Sequence, residues 1–66
     1  MTGEELRKAR TDKKLTQKAL GLLAGYDEKS AERVVQLWEH DKQPIPTKYW
    51  RELSKILGIP LEKFIP

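Results

Sequence analysis

Apolar residues recur along this chain at three- and four-residue spacing, in short runs cut by glycine, proline and capping residues. That is the period of helices, and no stretch alternates as a strand would. Thr2-Gly3-Glu4-Glu5 reads as a capping box, the hydroxyl accepting from the Glu5 amide and the Glu5 side chain returning to the cap amide. Leu6, Ala9 and the methylenes of Lys13 follow on one face. The first helix is predicted to end near Lys13–Lys14, where two cations suit the negative end of the dipole. Thr16 caps a second helix whose buried stripe is Ala19, Leu20 and Leu23, with Gly25 as its left-handed stop. Gly21 in mid-helix costs about 1 kcal/mol against alanine, which suggests a neighbouring helix in close approach.

Residues 26–30 are polar and form a loop. Ser30 is the expected cap of a third helix running from Ala31 to about His40. Val34, Val35, Leu37 and Trp38 give it an apolar stripe, and Glu32, Arg33 and Gln36 give it a polar face. Pro44-Ile45-Pro46 breaks the helical pattern. Thr47 is the expected cap of a fourth helix through Leu57, with Trp50, Leu53, Ser54 and Leu57 on one face and Gly58 at its end. Pro60 opens a short fifth helix whose Leu61, Phe64 and Ile65 fold back on the core. The expected fold is therefore all-α, five helices in one domain covering residues 1–66.

Charge adds a partner class. The net charge is +3, but it is unevenly spread. Residues 1–18 carry six Lys/Arg against three acids, residues 27–43 carry three against five, and residues 44–66 carry four against two. Basic ends favour a polyanion, although the mixture by itself also reads as a solvated surface. There is no cysteine, so neither a disulfide nor a thiolate site arises, which fits a cytoplasmic setting. No apolar run approaches the ~20 residues of a membrane span, and Met1 to Arg10 is charged and patterned rather than leader-like. His40 is the one histidine, with no second ligand at metal spacing. No Ser/His/Asp set, phosphate-cradling glycine loop or buried carboxylate pair suggests catalysis. No cofactor, metal or small-molecule ligand is implied, and the chain does not read as an enzyme.

The order of these parts resembles the phage-repressor type of helix-turn-helix domain, which includes the Cro and lambda-repressor proteins and the Xre-like regulators. The residues that carry the likeness are Leu6-Arg7 and Arg10, then Leu15-Thr16-Gln17 with Leu20 and Gly25. Val35, Trp38-Glu39, Pro44-Ile45-Pro46 and Leu53 to Leu57-Gly58-Ile59 follow in order, so nearly the whole chain is covered. The chain departs from the family in a connection between helices two and three about four residues longer, in Leu37 before the tryptophan, and in an acidic recognition segment.

The resemblance implies a lambda-repressor-like domain that binds double-stranded DNA sequence-specifically, as a phage-type or prokaryotic transcriptional regulator of repressor kind. Helix 31–40 would lie in the major groove of an inverted-repeat operator, bound by a homodimer with half-sites ~34 Å apart. Arg33 can take guanine O6 and N7 bidentately, and Gln36 can take adenine N6 and N7. Glu32 can accept from a cytosine amine or simply favour the helix start. Leu37 either touches thymine methyls or packs in the core. Gln17 is the family's phosphate contact, at a helix N-terminus that itself favours anions. Lys29 and Ser30 precede the recognition helix, and Lys42, Gln43, Thr47 and Lys48 follow it; all six are phosphate candidates that position without reading sequence. Arg10 matches a family residue that pairs with Glu39, and it can also face phosphate. By analogy the dimer surface lies near Ile45, Ile59 and Ile65. The alternative is a protein-interaction module on the same fold, of antitoxin or anti-regulator type, which the acidic middle favours and the basic ends oppose.

Overall fold

The capping box forms as written. In the computed structural model, which describes residues 1–65, the Glu5 amide donates to the Thr2 hydroxyl at 3.1 Å. The Thr2 amide returns a bond to Glu5 Oε1 at 2.8 Å, and this bond holds the Glu5 carboxyl below its ordinary range. Helix α1 spans Gly3–Asp12. The Thr16 hydroxyl takes the Ala19 amide at 3.0 Å and opens α2, Gln17–Ala24, which stops at Gly25 in the left-handed region. Helix α3 spans Ala31–Glu39 and α4 spans Trp50–Leu57. Single 3-10 turns occupy Thr47–Tyr49 and Leu61–Phe64. The described residues thus form a compact all-helical domain of four α-helices without a strand.

Two expected caps, the place of one proline and one expected helix are corrected. The Ser30 side chain makes no cap bond. Residues 27–30 already turn, and Ser30 sits in the helical region, where its hydroxyl cannot reach forward as an extended cap residue's does. Asp27 does the work instead: its Oδ1 accepts from the Ser30 amide and its carbonyl from the Ala31 amide, each at 2.9 Å. Thr47 does not cap α4 either, because the Tyr49 amide bonds back to the Pro46 carbonyl and draws Thr47 into a 3-10 turn that runs into α4. Pro60 lies just before Leu61–Phe64, with extended backbone, not inside its first turn. The expected fifth helix is that one 3-10 turn, its amides bonding three residues back, Lys63 to the Pro60 carbonyl and Ile65 to the Glu62 carbonyl.

The core is built from Leu6, Leu20, Ala24, Val35, Trp38, Leu53, Leu57 and Phe64, one cluster shared by all four helices and the last turn. Leu23 was expected inside and is 55% exposed. The inward face of α2 is Leu20, Gly21 and Ala24, and Leu23 lies about 200° round the helix from Gly21 at 100° per residue. Ile65 is likewise 55% exposed, since Phe64 takes the core position.

Close backbone contact, not side-chain bulk, sets two helix crossings. A Cβ on Gly21 would lie 2.3 Å from the Ala31 carbonyl oxygen, so α2 and α3 touch backbone to backbone at the start of α3. A Cβ on Gly3 would lie 2.2 Å from the Glu39 carbonyl oxygen, at the end of α3. The Gly3 amide donates to Asp41 Oδ1 at 2.9 Å, so one orphan donor of α1 is satisfied by the residue just beyond α3.

Tyr26, Trp38 and Tyr49 form a three-ring cluster that closes the loop and the first 3-10 turn over α3. The Tyr26 and Tyr49 centroids are 4.8 Å apart, and Tyr26 meets Trp38 edge-on at 5.7 Å. Trp50 donates from its indole nitrogen to the Ile45 carbonyl at 2.8 Å and stacks on Phe64. Burial, and then the neighbouring Tyr49 phenol, push the Tyr26 phenol up to about 12. A folded value raised above the unfolded 10.0 means that the neutral phenol is favoured by the fold. Stability from this group is therefore complete below pH 10 and is lost as pH rises towards 12. Denaturant midpoints are expected to fall across that window, with a shallower fall in Tyr26→Phe. Phenolate absorbance showing both tyrosines titrating together near 10 would contradict this.

Candidate nucleic-acid interface

Helix α3 buries Ala31, Val35 and Trp38 and so turns the opposite side outward. At 100° per residue that outward side is centred on Arg33, with Gln36 and Leu37 flanking it and His40 one helical repeat further on. Arg33 is exposed, and Gln36 and Leu37 are half-buried. Arg33, Gln36, Leu37, His40 and Lys42 line one open groove. Leu37 is thus half-buried and lines the groove, and it is not one of the residues packed against the core. Glu32 is exposed at the rim of this face, outside the groove lining.

The far end of α3 is tied down by charge. Arg10 Nε donates to Glu39 Oε2 at 2.6 Å and Nη2 to Oε1 at 3.3 Å. Arg10 Nη1 donates to the Leu15 carbonyl at 2.7 Å. Gln17 Nε2 donates to Glu39 Oε1 at 3.1 Å. One carboxylate thus joins α1, α2 and α3. The side chains of Arg10 and Glu39 are only 12% and 3% exposed, so water screens the pair weakly. Gln17, at the first position of α2, keeps its second amide hydrogen and its carbonyl oxygen for other partners.

A second groove lies on the other side of this junction, lined by Glu4, Arg7, Arg10, Gln17, Glu39 and His40. Three of its residues, Glu4, Arg7 and His40, were not among the sequence-derived contacts. Helical spacing carried the signal: Arg7 precedes Arg10 by three positions, and His40 follows Arg33 by seven and Gln36 by four.

The remaining candidates stand apart from the two grooves. Lys29 is exposed and Ser30 half-buried in the connection before α3. Gln43 is exposed before the proline break, and Thr47 and Lys48 are exposed on the first 3-10 turn. The Lys48 ammonium lies 5.2 Å from the centroid of the Tyr49 ring, close enough for a cation–π contact that steadies it. Lys18 pairs with Glu28 at 3.2 Å across exposed surface, a contact of small energetic consequence. Among the described residues no helix is long and apolar enough to cross a membrane. No family model matches the chain, and no curated protein matches it at a meaningful level.

Proposed function

We propose that this chain binds double-stranded DNA sequence-specifically, as a phage-type or prokaryotic transcriptional regulator of repressor kind acting in the cytoplasm, with α2 and α3 as a helix-turn-helix of lengthened turn. The observation that carries this reading is the outward face of α3. It gathers Arg33, Gln36, Leu37 and Lys42 along one groove, while Arg10, Gln17 and Glu39 fix the end of the helix. A base-reading helix needs both a donor-rich face and a rigid mount.

In this reading Arg33 takes guanine bidentately, Gln36 takes adenine, and Leu37 supplies an apolar contact for a thymine methyl. Glu32, at the rim, accepts from a cytosine amine. Lys29, Ser30, Lys42, Gln43, Thr47 and Lys48 position the backbone. Arg10 has Nε, Nη1 and Nη2 already engaged, so its part is to hold α3. The described residues measure 29 × 23 × 20 Å, less than the ~34 Å of one duplex turn. Two copies on an inverted repeat would double this footprint, which supports a homodimer on DNA.

The test is selection from a random-sequence duplex pool across a salt series, followed by two variants. Arg33→Ala is expected to relax preference at one base pair by about 1–3 kcal/mol. Lys48→Ala is expected to weaken all sequences alike and to reduce the salt slope by about one. Absence of an enriched motif and of salt-dependent binding would overturn the proposal. It would favour the second reading, a protein-interaction module, towards which the acids Asp27, Glu28 and Glu32 and the exposed Leu22 and Leu23 point.

A further inference from the structure

His40 is the one residue that lines both grooves. On its α1–α2 side the titratable groups are Arg7 and Arg10 against Glu4 and Glu39. Two cations and two carboxylates leave that groove without net charge. Glu39 is already taken by Arg10 and Gln17, so Arg7 and the unpaired edge of Gln17 face the opening with Glu4 opposing them. On its other side His40 faces Arg33 and Lys42, with no acid in the lining. His40 itself is exposed and ends α3, its amide bonded to the Gln36 carbonyl at 3.0 Å. An imidazole is the side chain that gains a proton between pH 8 and pH 5. In a groove of balanced charge, a cationic imidazole would add one positive charge to the lining that a phosphate meets.

We infer that Arg7 and His40 form a phosphodiester-binding site at the junction of α1, α2 and α3, and that protonation of His40 joins the two grooves into one continuous cationic track along a DNA strand. The inference rests on the DNA-binding reading of α3 and adds to it two contacts and a dependence on acidity. Protonated imidazole donates a charge-assisted bond to phosphate, whereas the neutral ring donates a weaker one and contributes no charge. Arg7 contributes at every pH. Glu4 opposes the anion, and its removal strengthens the site.

The experiment is a fluorescence-anisotropy titration of a duplex, random or selected, at pH 8.0 and pH 6.0 over a salt series, with the whole chain. The affinity is expected to rise about tenfold on acidification, and the slope of log K against log salt to steepen by about one. In His40→Gln both changes are expected to vanish while binding at pH 8.0 is kept. Arg7→Gln is expected to weaken binding severalfold at both values, and Glu4→Gln to strengthen it. All three positions are exposed, so circular dichroism is expected to show an unchanged fold. Binding at pH 8.0 that responds to acid equally in the native chain and in His40→Gln overturns the site, because the response then comes from elsewhere. Binding that is indifferent to pH and to Arg7→Gln overturns it as well, and in both cases the DNA reading stands. No binding to any duplex at either pH overturns that reading and the site together.

Discussion

Gly21→Ala is expected to lower the melting temperature by roughly 8–16 °C, although alanine is the better helix former. The added methyl would sit 2.3 Å from the carbonyl oxygen of Ala31 and 2.6 Å from its carbonyl carbon. Those atoms are backbone, so no rotamer change relieves the clash; α3 must shift on α2. Overpacking costs about 1–3 kcal/mol, and more where backbone has to move. Helix propensity returns about 1 kcal/mol of this. A net loss of about 2 kcal/mol is a large share of the ~3–10 kcal/mol available to a chain of this length, and corresponds to a fall of roughly 8–16 °C. Thermal unfolding of the single variant checks it, and an unchanged or raised midpoint would show that the two helices are not in backbone contact. The same shift re-aims Arg33 and Gln36, so any DNA preference is expected to blur at temperatures where the variant is still folded.

Glu39→Ala carries the other large effect, a loss of about 3 kcal/mol, the lower end of the range for breaking a buried pair. The Arg10 side chain, 12% exposed, would be left beside a cavity without its carboxylate, and the Gln17 amide would lose its acceptor. The control is Arg10→Met combined with Glu39→Leu, which removes both charges and keeps volume. That double variant is expected to be much less damaged than Glu39→Ala, because neither charge remains to be solvated. Urea unfolding of both variants beside the native chain makes the comparison. A loss in Glu39→Ala below about 1 kcal/mol would mean that the pair behaves as an exposed one. Amide exchange is expected to quicken at the last turn of α3, which this carboxylate ties to α1 and α2.

The two effects differ in how far a reader of the sequence could have foreseen them. Arg10 and Glu39 stood out only through a likeness to a family. Nothing in their local sequence says that 29 positions of separation close to 2.6 Å. Gly21 announced itself as a cost that suggests a helix in close approach, but not which one; it is α3, at Ala31, ten residues on. Gly3 gave less warning still, since a glycine beside a cap looks ordinary, yet it seats α1 on the carbonyls of Trp38 and Glu39. Asp27 lies in a polar loop and Asp41 between α3 and the proline break, and neither stands out in the sequence. Each satisfies backbone donors at a helix start, Asp27 beside its own turn and Asp41 across 38 residues.

Local chemistry determined what depends on a few neighbouring residues. Thr2 with Glu5, Thr16, Gly25 and Gly58 mark helix ends because caps and left-handed stops are closed within four residues. The apolar period of residues 31–40 determined that Val35 and Trp38 would be buried and that Arg33 would be exposed, while Val34, Gln36 and Leu37 lie half-buried between. Tertiary structure decided the rest. Leu23 and Ile65 are apolar in sequence and exposed in fact, because burial is a property of a face against a partner and not of a residue. Tertiary packing also brought Arg7 from α1 and Gln17 from α2 to the end of α3, and placed His40 between two grooves. A helix carries its own period in its sequence, whereas the meeting of three helices is set by which faces fit, and that is settled only when all of them pack at once.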